Sequence, residues 1–244
     1  METFFTTSDK IENIIKSFNL TKTLFVSSII IGEPYTGKKT LARYLFPDAF
    51  FVSGKDQEAV KEALENYDEL IISDFEKLSN PSSLDFNNKR IIATANYLGN
   101  ASLIDELFAF IYTMPPLRER AEDVEYLKTL FVKEACETLI IEENKVDMHS
   151  LPLNLTMNSK SLKKFLYLDL MKLSMDEKAI REIIYQYILK HLDGNDGYRE
   201  YLGLYEKPLI KAGLKKYGSQ LQLSQVLGIN RNTLRKKIHE QDID

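Results

Sequence analysis

"IIIGEPYTGKKTLARYLF", Ile29 to Phe46, decides how the chain folds. The run Ile29–Ile31 predicts a buried strand. A loop framed by Gly32 and Gly37 follows, then Lys38, then an amphipathic helix from Thr40 to Phe46 that Pro47 ends. Strand, glycine-framed loop, lysine and helix are the outline of a phosphate-binding loop. Such loops aim backbone N–H groups, a helix N-terminus and a lysine at one anion. The candidate nucleotide-binding residues here are Gly32, Glu33, Thr36, Gly37, Lys38, Lys39 and Thr40. Two neighbours argue against them. Pro34 has no N–H to offer, and Tyr35 stands where a close backbone approach favours glycine.

Working outward, Ile11, Ile14, Ile15 and Phe18 recur at helical spacing in 10–18. Apolar runs at 24–31, 49–53, 69–74, 89–96 and 108–113 read as strands, with a helix at 58–66. Strands alternating with helices imply an α/β fold, with a parallel sheet covered on both faces. Beyond residue 118 only helical spacing remains, at 121–140, 161–173 and 176–192. The stretch DGNDG (193–197) reads as a linker before a last helical part. Three domains are expected: an α/β phosphate-loop subdomain at 1–130, a helical lid at 131–195 and a small all-α domain at 196–244.

Composition narrows the class. The chain has 244 residues, 44 % hydrophobic and 28 % charged, ordinary for a globular protein with a sizeable core. No apolar run approaches the roughly 20 residues a membrane span needs. METFFTTSDKIENIIK lacks a basic leader with a long apolar core, so a cytoplasmic protein with no membrane partner is expected. The single cysteine, Cys136, reads as a helix-packing residue, and no Cys/His cluster suggests a metal. Charge is uneven. Lys211 to Ile238 holds seven basic and no acidic residues, leaving 25 basic and 36 acidic, net −11, elsewhere in a chain of net −4. An acidic body with a basic end suggests an appended nucleic-acid-binding module.

That end has its own pattern. Gln220 to Leu227 reads as a short helix, Gly228 suits a left-handed turn after it, and Asn230 is a natural N-cap for Arg231 to His239. Leu234 and Ile238 then face inward, and Asn232, Arg235, Lys236 and Lys237 outward. Two short helices at this spacing read as a helix-turn-helix, whose second helix lies in the DNA major groove. GINRNTLRKKI (228–238), with YEKPLIKAGLKKYG (205–218) before it, resembles the C-terminal helix-turn-helix of the Fis family. The resemblance implies DNA contacts at Asn230, Arg231, Thr233, Arg235 and Lys236, and phosphate contacts at Lys237, Ser219 and Gln220. It also implies dimerisation through the preceding helices over a two-fold site on double-stranded DNA.

The body resembles the AAA+ domain of the NtrC-type, sigma-54 enhancer-binding activators. FFTTSDKIENII (4–15), GEPYTGKKTLAR (32–43), KRIIATAN (89–96) and MPPLRERAEDVEYL (114–127) carry the likeness. It implies ATP or ADP with magnesium, the metal on Asp74, a nucleotide-sensing Asn96, and Lys163 of SKSLKKF (159–165) in place of a second sensor arginine. The departures are several. In LIISDFEKL (70–78), Phe75 follows Asp74 and Glu76 comes one position late. On a strand, that shift turns a side chain to the opposite face. Between Leu103 and Met114 there is no arginine or lysine to act in trans. Only 36 positions separate Lys38 from Asp74, and no GAFTGA-like string for a sigma-54 contact occurs. With the first loop glycine at 32, no receiver domain is expected ahead of it.

The expected function is therefore a sequence-specific DNA-binding transcription regulator. It acts as a homodimer or higher oligomer, with no catalytic residues, a degenerate non-hydrolysing AAA+ body, and contact with RNA polymerase or a related regulator. The alternatives are a nucleotide-switched ATPase and a Fis-like DNA-architectural protein.

Overall fold

The computed structural model describes residues 4–243. The first three residues and the last, where the outer expected domains begin and end, lie outside the described residues. The chain divides into two compact units, one ending at Ser174 and one beginning at Met175. Each is taken by itself.

The first unit is built on five parallel strands: β1 (Ser28–Ile31), β2 (Phe50–Ser53), β3 (Glu69–Ser73), β4 (Arg90–Ala95) and β5 (Phe110–Thr113), in the order β2-β3-β4-β1-β5. β1 pairs on both sides, Ile30 lying opposite Thr94 of β4 and Tyr112 of β5. Both faces are buried, which is why the strands read as unbroken apolar runs. Successive side chains point to opposite faces. Thus Ile29, Leu70, Ile72, Ile91 and Ala93 join one core, and Ile30, Ile71 and Ile92 the other.

On the second face pack α1 (Asp9–Thr21) through Ile11, Ile14 and Phe18, and α2 (Lys38–Leu45) through Leu41, Ala42 and Leu45. The other face takes α3 (Gln57–Asn66) and α4 (Ala101–Leu107). Asp56 caps α3 by accepting from the Ala59 N–H at 3.0 Å. The expected strand at 24–31 shortens to Ser28–Ile31: the ladder to β4 and β5 begins at Ser28, and Ser27 meets Lys89 and Ile91 through its hydroxyl instead. α2 begins at Lys38, two residues before the sequence suggested.

A third core lies between α5 (Ala121–Leu139) and α6 (Asn158–Ser174), where Val132, Ala135 and the buried thiol of Cys136 meet Leu162, Leu166 and Leu170. α5 runs unbroken across residue 130. The second unit begins with α7 (Glu177–His191) and α8 (Gly197–Tyr217), and the Tyr201 hydroxyl donates to the His191 carbonyl at 2.5 Å. α9 (Gln220–Leu227) and α10 (Arg231–Glu240) close it, with Ile210, Leu223 and Leu234 at the centre.

Candidate nucleotide loop and nucleic-acid interface

The loop between β1 and α2 borders a cavity of about 670 Å³. Its first glycine is held by contact. A β-carbon on Gly32 would sit 2.6 Å from the Met114 carbonyl oxygen, closer than any side chain tolerates. Tyr35 occupies the left-handed region at φ 62°, a conformation that costs an ordinary residue about 1 kcal/mol or more. The helical layer holds it there. Its carbonyl accepts from the Ser159 N–H at 3.2 Å and hydroxyl at 2.7 Å, and its phenol accepts from Lys160 Nζ at 3.0 Å. Lys160 also lies 4.6 Å from the ring centroid.

The remaining loop carbonyls are tied as well. Asn158 Nδ2 donates to the Pro34 carbonyl at 3.0 Å and to Glu33 at 3.1 Å, while its Oδ1 accepts the Leu117 N–H at 2.8 Å. Buried Arg120 donates to the Thr36 carbonyl at 2.8 Å and to Asp123 at 3.1 Å. Asp123 in turn accepts from the Thr6 hydroxyl and the Thr7 N–H, both at 2.9 Å. Arg118 forks onto Glu33 at 2.9 and 2.6 Å. Hydrogen bonds from Arg118 and then Asn158 hold the Glu33 carboxyl down to about 2.

Lys38 folds inward. Its Nζ donates to the carbonyls of Gly32 at 2.7 Å and Glu33 at 2.6 Å, and to Asn96 Oδ1 at 3.3 Å. Burial, opposed chiefly by the charge of Glu76, lowers its pKa to about 8. Lys39 pairs with Asp74 at 2.8 Å.

Glu76 departs from the sequence reading. β3 ends at Ser73, Asp74 turns through φ 54°, and Phe75–Lys77 form a short 3-10 turn. The strand rule that would flip Glu76 away therefore does not apply. Phe75 enters the core, and Glu76 returns to accept from Asn96 Nδ2 at 2.7 Å.

The cavity thus gathers Thr36, Gly37, Lys38, Lys39, Thr40, Asp74 and Asn96. Lys163 is not brought there. It faces α5, bonds Glu134 at 2.6 Å and lies over the rings of Phe131 and Tyr167. Its stretch carries Asn158, Ser159 and Lys160 to the loop instead. Sequence reasoning also missed Lys55, Lys77 and Thr94, which line the cavity.

In the second unit Gly228, at φ 66°, makes the left-handed turn between α9 and α10. The Asn230 side chain caps α10 by accepting from the Asn232 N–H at 2.8 Å. Ser219 stands at the N-cap of α9 and Gln220 opens it. Leu234 is fully buried, which turns Arg231, Asn232, Thr233, Arg235 and Lys236 outward. Arg231 and Arg235 have no ion-pair partner among the described residues, and Lys236 reaches only Glu240, at 3.6 Å. Lys237, expected outward, is instead half-buried and ion-paired with Glu206 of α8. It sits three residues after Leu234, on the flank of the packed face.

A parallel-sheet phosphate-loop body with a helical layer is an AAA+-type fold, and α9 and α10 have the form of a helix-turn-helix. Residues 202–240 match the model of the bacterial regulatory protein, Fis family. Over 69 residues, 27 % of the chain, the sequence is 42 % identical to the DNA-binding transcriptional regulator NtrC of Azospirillum brasilense; the match spans 14 % of that relative's length. The fold is shared with NtrX from Brucella abortus. Its ATP complex aligns with TM-score 0.55 and 17 % identity, covering 98 % of this chain and 69 % of NtrX. Its ADP complex gives 0.53 and 18 %, covering 99 % and 70 %. The chain thus has an AAA+-type fold, a Fis-type helix-turn-helix over residues 202–240, and a similarity to NtrC over part of its length.

Proposed function

We propose that the chain is a sequence-specific DNA-binding transcription regulator. Its paired Fis-type ends set α10 into the major groove, and its AAA+ body holds a nucleotide without turning it over. One observation carries this reading: burial of Leu234 leaves Arg231 and Arg235 exposed and unpaired at the start of α10. In a helix-turn-helix, such a position meets base edges and phosphates. Asn230, Asn232, Thr233 and Lys236 lie on the same turns, and Ser219 and Gln220 at the start of α9 suit phosphate contact. Lys237, paired to Glu206, positions α10 instead.

A homodimer fits the second unit. α7 has no buried residue, although Ile180, Ile183, Ile184 and Tyr187 recur along it at helical spacing. A second copy of α7 and α8 would cover them. Contact with RNA polymerase or a related regulator would then carry the output.

For the body, the NtrX complexes with ATP and ADP support nucleotide in the same fold. The backbone N–H groups ahead of α2, Lys38 and Asn96 suit the phosphates. Hydrolysis lacks support from residues 103–114, which hold no arginine or lysine. The return of Glu76 to Asn96 favours a second reading, a nucleotide-switched ATPase. Steady phosphate release that disappears in Lys38→Ala would identify it.

The test of the main reading is fluorescence anisotropy on a duplex selected from a random pool by the wild-type chain. Arg235→Ala should weaken binding by about 1–3 kcal/mol, roughly fivefold to 150-fold. Unchanged affinity would remove α10 from the groove.

A further inference from the structure

A divalent cation does not fit this loop. In phosphate loops the metal is held by the hydroxyl of the residue after the lysine and by the acidic residue ending a neighbouring strand. Here those two positions are Lys39 and Asp74, and they hold each other, Nζ donating to Oδ2 at 2.8 Å. Asp74 is the one carboxylate among the described residues that line the cavity. Nowhere among the described residues do three or more His, Cys, Asp or Glu gather as a metal site. A divalent ion beside phosphates is held by one or two carboxylates, and the cavity offers it one, already bonded to an ammonium.

What the cavity does contain is positive charge. Lys55, in the loop after β2, and Lys77, in the turn after β3, line it and form no ion pair among the described residues. Lys39 keeps half its side chain exposed there. Independently, the Thr94 hydroxyl borders the cavity, is buried to 1 % exposure, and has no hydrogen-bond partner. A buried hydroxyl left unsatisfied marks a place for a missing polar atom. Together these groups are a donor set for an acceptor-rich, highly charged ligand.

We propose that the cavity binds a nucleoside di- or triphosphate without a divalent cation. The Lys39 ammonium on Asp74 takes the metal's place, and Lys55 and Lys77 meet the rest of the phosphate charge. This rests on the reading that the loop binds nucleotide. The lysine offers the same sign of charge at the same point, but cannot coordinate the attacking and leaving oxygens as a metal would. Capture without turnover is the natural result.

The experiment is titration calorimetry of the whole chain with ADP and with ATP, in excess EDTA and in excess magnesium. Wild type should bind with affinities agreeing within about twofold in the two media, well under the tenfold that 1.4 kcal/mol represents. Lys39→Ser removes a side chain that is half exposed and so leaves the fold intact, confirmed by circular dichroism. It supplies a hydroxyl and frees Asp74, and should bind at least about tenfold more tightly with magnesium than with EDTA. Wild-type binding that needs magnesium would overturn the proposal while leaving the nucleotide reading intact. So would a Lys39→Ser variant as indifferent to magnesium as wild type. No binding of either nucleotide in either medium would overturn both.

Discussion

Around Gly32 to Lys39 the polar groups are engaged inside the protein. Lys38 binds two carbonyls, Arg120 and Asn158 take two more, and Lys39 is paired with Asp74. On the outward face of α10, Arg231 and Arg235 engage nothing among the described residues. Both surfaces are basic and both suit phosphate, yet their physics differs. A ligand entering the loop replaces bonds that Lys38 already makes, so its net gain is a difference of similar quantities. DNA docking on α10 as proposed would meet hydrated charges with no internal competitor, and its affinity would come from phosphate neutralisation and fall steeply with salt.

Three measurements would break or sharpen this contrast. The largest effect is expected at the loop. Asn158→Ala removes the acceptor of the buried Leu117 N–H and the tie to the Pro34 carbonyl. It should destabilise the first unit by about 1–3 kcal/mol in urea unfolding, the cost of a buried group left unpaired. An unchanged midpoint would mean that the carbonyl ties are incidental. A second effect at the loop is expected from pH. Lys38 releases its proton at about 8 in the folded chain against an ordinary value of 10.5. Between those values the unfolded chain binds more protons, so stability should rise with pH across that window. The rise should be missing from Lys38→Met, and equal slopes in the two proteins would place the Lys38 ammonium in solvent. The smallest effect is expected on α10. Arg231→Ala with Arg235→Ala should leave thermal unfolding within about 0.5 kcal/mol of wild type, as for surface groups with no partner. A clear loss of stability would show that those arginines are engaged after all.

Much of the fold could be read from residue types. Burial on both sheet faces leaves nothing to alternate, so Leu70–Ile72 and Ile91–Ile92 announced strands. Gly228 and Asn230 marked the turn and cap of the helix-turn-helix because few other residues meet those backbone demands. The parts that stayed hidden are set by tertiary geometry. Ser159 and Tyr35 meet across 124 positions of sequence, and no local pattern reports that. Helical rotation decided that Lys160, three residues before Lys163, faces the loop while Lys163 faces α5. A single left-handed residue, Asp74, carried Glu76 to a side that strand alternation denied it. Lys237 drew inward because α8 offers Glu206 beside it, which the sequence of α10 alone cannot say.

The contacts of Asp123 have a mechanical consequence. This one carboxylate grips the chain at Thr6 and Thr7 and also orients Arg120, whose other arm holds the carbonyl of Thr36. Tension applied ahead of Thr6 therefore travels through two side chains to the middle of the phosphate loop. A purification tag or fused partner at that end would pull on the same line, so fusions placed after the last helix are the better choice for measuring what the loop binds.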